Sequence, residues 1–443
     1  MAVWEREGSE CFEFASRSLD PASGRVSLSY RLDGITLEET IVLPASGIKL
    51  THSRQHAVEQ ALDLLHWVAG VSYWKAGCPP RLVFRAAAPD AWQAAWLTRL
   101  YREGLAEFAF CNHLDAEQWP LFLSEKAATS LQPVEATGLS RRTLVPMGGG
   151  KDSLVAWSRL ARAGEQADSV QIGSSALIRR IGAQLSGQHW VIERKLDPAL
   201  GELNRRGAWN GHVPVTAINA SILVLAALVL DYDRIAFANE RSADEASLLD
   251  SRGRAVNHQF SKSFAFEQML DEWVRGRIDP DLRVFSILRR DRELAVCREF
   301  AGLTQFHELF SSCNRNFHLD GPRTGRWCGQ CPKCYFVFLA LAPFMLPERL
   351  AAIFGGDLLA NPELAEGFAA LLAFDGQKPF ECVGEAVEAR AAVRKLAQSD
   401  AWADHPVVRI LAERLQGIDG PDLEQLCLPG GGHLIPEEWR HAA

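Results

Sequence analysis

The chain has 443 residues, 47% of them apolar, and carries 47 basic against 55 acidic side chains for a net charge of −8. At about 150 residues per domain, this length fits two or three domains with a sizeable core. The acidic balance argues against a protein that coats nucleic acid, whose footprint is strongly basic. The first residues, Met1 to Glu7, show no apolar signal region, which predicts a cytoplasmic protein with its ten cysteines held as thiols or metal ligands.

Arg25–Leu32 and Ile35–Leu43 alternate apolar and polar residues around Asp33-Gly34. That pattern predicts a hairpin. Helical spacing follows at His56–Val68, a strand at Leu82–Phe84, and a helix from Ala91 to Phe108. These residues read as a small α+β domain over 1–138 with no chemistry motif of its own.

From Thr143 the pattern changes to strands alternating with helices. Strands are expected at Thr143–Met147, Val170–Ile172, Trp190–Ile192, Arg234–Ala238 and Val284–Ile287. Helices are expected at Leu154–Leu160, Ala176–Leu185, Pro214–Leu230, Phe264–Val274 and Glu293–Ala301. This rhythm predicts an α/β, doubly wound, mostly parallel sheet over 139–345. A helical region follows over 346–443. The uncharged run Val213–Leu230 is near the lower limit for a membrane span, but Pro214, Thr216, Asn219 and Ser221 favour a buried helix. The doublets Arg141-Arg142, Arg179-Arg180, Arg205-Arg206 and Arg289-Arg290 read as solvated faces.

Gly148-Gly149-Gly150-Lys151-Asp152-Ser153 joins the first of these strands to its helix. Glycines let the backbone approach an anion, and the helix N-terminus offers unpaired N–H groups. Lys151 adds a charge and Ser153 a hydroxyl. The segment is not a Walker A loop, because Asp152 follows the lysine where Ser or Thr is needed. Nor is it a dinucleotide turn, because Ser153 stands at the last glycine. It resembles the S-G-G-x-D-S pyrophosphate loop of ATP pyrophosphatases, with Gly148 in place of the family serine and one hydroxyl contact missing. Such loops split ATP between the α and β phosphates.

Two polar strings lie further on, Asn239-Glu240-Arg241-Ser242-Ala243-Asp244 directly after a strand and Asn257-His258-Gln259-Phe260-Ser261-Lys262-Ser263 before a helix. They suit an anionic, hydrogen-bonding ligand. A solvated loop with Ser263 capping the next helix is the plainer alternative. Cys328, Cys331 and Cys334 have C-x2-C-x2-C spacing, and Cys313 lies 14 residues earlier. Four thiolates can close a tetrahedral zinc site, structural because no position stays open. An iron–sulfur cluster, plain reduced thiols and a catalytic thiol are the alternatives. Pyrophosphate-loop enzymes that make 7-cyano-7-deazaguanine carry a similar late zinc motif.

Together, Met147–Ser153, Ala238–Asp244, Asn257–Glu267 and Trp327–Phe336 resemble the UDP-N-acetylmuramoyl-L-alanyl-L-glutamate epimerases of peptidoglycan synthesis. The resemblance implies inversion of the terminal L-glutamate of UDP-MurNAc-L-Ala-L-Glu through an acyl-adenylate, with ATP consumed, AMP and diphosphate released, and Mg2+ as the expected metal. It implies that Gly148, Gly149, Gly150 and Ser153 hold the leaving pyrophosphate and that Lys151 and Asp152 act in catalysis. Arg241 would bind a carboxylate or phosphate, Glu240 and Asp244 are metal candidates, and His258 and Lys262 are the expected acid–base groups. Two other readings use the same motifs: an AMP-forming amide, nitrile or thiolation enzyme, and a non-catalytic zinc-stabilised nucleotide-binding module. The acidic net charge weakens the tRNA-thiolating version of the first of these, and no nucleic-acid partner or stable membrane insertion is expected.

Overall fold

A computed structural model describes residues 4–440, apart from 46, 49, 120–121, 124–133, 317–325, 375 and 382. The chain opens with an antiparallel meander, β1 (Cys11–Asp20), β2 (Arg25–Leu32) and β3 (Ile35–Val42). Asp33 and Gly34 both take positive φ, 48° and 84°, as the two-residue turn of a right-twisted hairpin requires. Then come α1 (His52–Ala69), α2 (Val71–Trp74), β4 (Arg81–Phe84), α3 (Ala91–Gly104) and α4 (Ala106–Cys111). The single helix expected over 91–108 is therefore two helices. The break falls beside Gly104, where an added Cβ would lie 3.0 Å from the Pro214 ring.

The second part runs β5 (Thr143–Pro146), α5 (Lys151–Arg162), β6 (Ala167–Ile172), α6 (Ala176–Gly182), β7 (His189–Lys195), α7 (Ala199–Arg205), α8 (Val215–Leu230) and β8 (Arg234–Phe237). A two-stranded ribbon, β9 (Leu248–Leu249) with β10 (Ala255–Val256), precedes α9 (Phe264–Arg277), β11 (Arg283–Ser286) and α10 (Glu293–Ala301). After these the described residues form helices only: α11 (Pro332–Leu341), α12 (Pro347–Phe354), α13 (Ala365–Ala369), α14 (Ala386–Ala397), α15 (Pro406–Arg414), α16 (Leu423–Leu426) and short 3-10 turns.

All nine longer strands join one sheet in the order β11-β8-β5-β6-β7-β3-β2-β1-β4. The first five are mutually parallel. The meander is fused to them by antiparallel pairing of β3 with β7, with Ile41 opposite Arg194. Glu39, fully buried, accepts from Arg194 Nε at 2.6 Å across that seam.

Side-chain alternation along the parallel strands divides the interior into two cores. Leu144, Ile235 and Val284 point into one, with α1, α8 and the meander. Their neighbours Val145, Ala236 and Phe285 point into the other, with α5, α10, α11 and α14. Helix α8 packs on α1, so its uncharged run faces protein on most sides. Among the described residues no helix is long and apolar enough to cross a membrane.

In chain order, the five parallel strands lie 3-2-1-4-5 from β7 to β11. The order reverses between β5 and β8, and open parallel sheets bind ligands at such a switch point. Here β5 pairs with β8 only through Thr143 and Leu144, so their carboxyl ends part and leave a crevice.

Candidate active site

The glycine turn after β5 and the polar string after β8 face each other across that crevice. Gly149 has φ +83°, a conformation that L side chains rarely adopt. Gly150 is the N-cap of α5, and no side chain caps the helix there. The first N–H groups of a twelve-residue helix are thus offered to an anion. Ser153 Oγ donates to the Gly150 carbonyl at 3.2 Å. The turn is overlain by Ser311 and Ser312. Ser311 N–H donates to the Gly149 carbonyl at 2.9 Å, and a Cβ on Gly150 would meet Ser312 Oγ at 2.6 Å.

Lys151 and Asp152 part company. The Lys151 side chain is 1% exposed and turns into the protein, where Nζ donates to Glu293 Oε2 at 2.6 Å and also to Asp152. Burial works against its charge, but Asp152 and then Glu293 hold its pKa well above the usual lysine value. Burial, partly offset by Lys151, pushes the Glu293 carboxyl up to about 7. The Asp152 side chain keeps 32% exposure, enough to meet a ligand. Burial opposes its charge, yet Lys151, Lys333 and Lys262 together lower its pKa. Glu240, buried, is raised by burial and by Asp152. Asp152, Glu240 and Glu293 thus form one electrostatically linked group with Lys151, Lys262 and Lys333 beside the turn.

Arg289, expected on a solvated face, is instead 1% exposed. The reason is its three-way use. It pairs with Glu267 at 2.9 Å and donates to the carbonyls of Glu240 at 2.9 Å and Lys262 at 2.7 Å. One guanidinium thus fixes both polar strings.

Arg241 lies elsewhere. Its guanidinium packs against Gly430 and Gly431, among Arg292, Glu385 and Glu388. Ser242 Oγ donates to Glu388 at 2.6 Å, and Glu388 also accepts from Leu294 N–H at 2.8 Å, capping α10. Asp244 accepts from Phe264 N–H at 2.7 Å and Ser263 caps α9, so the plainer capping role is present in both.

His258 pairs through Nδ1 with Glu107 of α4. Its ring centroid lies 4.3 Å from that of His212, whose Nδ1 is 3.9 Å from the same Glu107 oxygen. Burial, then the charges of His258 and Lys262, lowers the His212 pKa to about 3 and keeps that ring neutral. The charge of Lys262 bears on His212, Glu240 and Asp152 alike, so it links the histidines electrostatically to the glycine turn.

Cys313, Cys328, Cys331 and Cys334 converge, with all four sulfurs within 4.8 Å of one another. Cys334 Sγ lies 3.5 Å from Cys331 and 3.7 Å from Cys328. These separations are too long for a disulfide of about 2.05 Å. They match four sulfurs each about 2.3 Å from a shared zinc. Gln330 N–H points at Cys328 Sγ at 3.5 Å. Trp327, next to Cys328 in sequence, packs edge-on against Phe310 and tilted against Phe354. The cluster also serves the site. Ser311 and Ser312 overlie the glycine turn just before Cys313, and Lys333 lies between two of the cysteines.

Sequence reasoning missed Glu293, Lys333, Arg289, Glu388, Glu107 and His212. Only Lys333, inside Cys331-Pro332-Lys333-Cys334, and Glu293, at a helix start, sat next to a recognised signal.

The MurL N-terminal domain family model matches residues 4–287, and the MurL C-terminal domain model matches residues 309–425. A UDP-N-acetyl-alpha-D-muramoyl-L-alanyl-L-glutamate epimerase of Xanthomonas oryzae is 45% identical over 441 residues, covering 98% of this chain and 97% of the relative. Epimerases of the same name from Micromonospora sp. and Salinispora tropica are each 39% identical, covering 98% of this chain and 97% and 95% of theirs. With two family models in order along the chain and relatives matched from end to end, this protein belongs to the MurL family of epimerases.

Proposed function

We propose that the protein inverts the terminal L-glutamate of UDP-MurNAc-L-Ala-L-Glu to D-glutamate, using ATP to activate its carboxylate. The observation that carries this is the crevice itself. A glycine turn and uncapped helix start face Asp152, Glu240, Lys262 and Lys333, and the charge of Lys262 links them to the histidine pair. The turn suits a pyrophosphate leaving group, with Gly148 to Gly150 and Ser153 presenting backbone and hydroxyl. Asp152, with Glu240 nearby, suits Mg2+ bound jointly with phosphates.

Activation makes chemical sense. A proton next to a free carboxylate is hard to remove, because the product would bear two adjacent negative charges. Joining the carboxylate to AMP removes one charge and leaves an ester-like carbonyl. A side-chain base then takes the α-proton, an acid returns one to the opposite face, and water releases AMP. His258 and Lys262 are assigned as these groups, with Glu107 orienting His258 through Nδ1. The four thiols engage one another, which favours a structural zinc over a catalytic thiol.

The test incubates protein, ATP and Mg2+ with the substrate in deuterated water. Deuterium at the glutamate α-carbon with AMP release is expected. AMP release only with ammonia or a sulfur donor would replace this reading with an amide, nitrile or thiolation synthetase. No AMP under any condition would leave a binding module.

A further inference from the structure

A cavity of about 930 Å3 lies between α3–α4 and the segment from Asp244 to Gln268. That is at the upper end of the range for small-molecule sites. No residue of the glycine turn lines it, so it is not the ATP seat. Its wall includes Ala106 and Asn257, the immediate neighbours of Glu107 and His258, so one end lies beside the histidine cluster.

We propose that this cavity holds the carrier end of the substrate, a pyrimidine nucleoside diphosphate joined to a hexose. The peptide then runs past His258 and Lys262 to present its last carboxylate at the glycine turn. This rests on the epimerase reading and adds the seat of the non-reacting part of the substrate.

The wall chemistry fits that class. Phe110, 40% exposed, and Phe264 offer ring faces for a base or a pyranose. Arg102 also lines the wall and donates from Nη2 to the Glu117 carbonyl at 3.1 Å, which places a guanidinium at the cavity. Arg252 and Arg254 both reach Asp115, at 2.9 and 3.5 Å. The Arg252–Asp115 pair, with Arg252 exposed, is weak enough to be exchanged for a diphosphate, whereas Arg254 is also held by Asp250 at 2.8 Å and Glu117 at 3.2 Å. Asp115 then becomes an acceptor for sugar hydroxyls. A glutamate and ATP alone would leave this volume unused.

The probe is UDP-MurNAc-L-Ala, which lacks the reacting glutamate, titrated calorimetrically into the full chain. Ala255, exposed on β10 and lining the cavity, is replaced by Trp to fill it, and Phe110→Ala removes a ring face. Wild type should bind the probe. A255W should lose at least tenfold in affinity and F110A several-fold, while a non-hydrolysable ATP analogue binds all three equally. Absence of binding to wild type, or equal probe binding in both variants, would overturn the assignment. Loss of α-hydrogen exchange with probe binding intact would instead sink the chemistry proposed for the neighbouring crevice.

Discussion

Lys151 and Asp152 are adjacent in sequence, yet they do different work. Lys151 is a buried cation tying α5 to Glu293 at the start of α10, whereas Asp152 reaches the crevice. Removing one partner of a buried pair costs about 3–5 kcal/mol. Lys151→Met should therefore lower stability towards that range, eased by Glu293 taking up a proton near pH 7. Asp152→Ala should cost less stability than Lys151→Met, because Lys151 keeps Glu293 as a partner, and should abolish AMP release. Thermal melts beside a pyrophosphate-release assay check both, and an active D152A enzyme would remove this residue from the chemistry. Glu388 allows a pH prediction of definite sign. Burial raises its folded pKa from 4.5 to about 7. Its contribution is thus full below pH 4.5 and is lost as pH rises towards 7. Glu388→Gln cannot gain that proton, so the stability of wild type relative to E388Q should rise from pH 8 to pH 5. A gap that stays constant in urea melts across that range would mean that Glu388 remains ionised.

The cysteine cluster acts as an element clamp. It gathers the Ser311–Cys313 segment and the start of α11 over the glycine turn, bringing Lys333 to Asp152. A structural metal there would couple folding of the C-terminal helices to the shape of the glycine turn. Cys331→Ser should lower metal content and cost about 4 kcal/mol or more of stability, the scale of losing a metal site. Affinity for an ATP analogue should fall as well, because Ser311 and Ser312 no longer hold Gly149 and Gly150. Elemental analysis, melting and nucleotide titration read these three effects. Unchanged melting with lost α-hydrogen exchange would make the thiol catalytic instead.

At the scale of the molecule, local signals in the sequence were reliable and distant pairings were not. The hairpin at Asp33-Gly34 and the strand–turn–helix at Gly148 are written in neighbouring residues, so they could be read directly. The seam between β3 and β7 joins residues about 150 positions apart and leaves no periodic trace. The burial of Arg289 was equally hidden, because its partners come from three separate segments. That seam has a consequence for folding. The meander, α1, α3 and α8 share one core, and α8 belongs to the parallel half of the sheet. A fragment of residues 139–443 would expose the edge of β7 and the apolar face of α8 that α1 covers. An unpaired edge and a bare apolar face favour aggregation over a cooperative fold. The fragment should therefore unfold without a sharp transition and fail to bind an ATP analogue, whereas co-expression with residues 1–138 should restore both. A lone 139–443 fragment that melts cooperatively would show that the sheet is two independent units placed side by side.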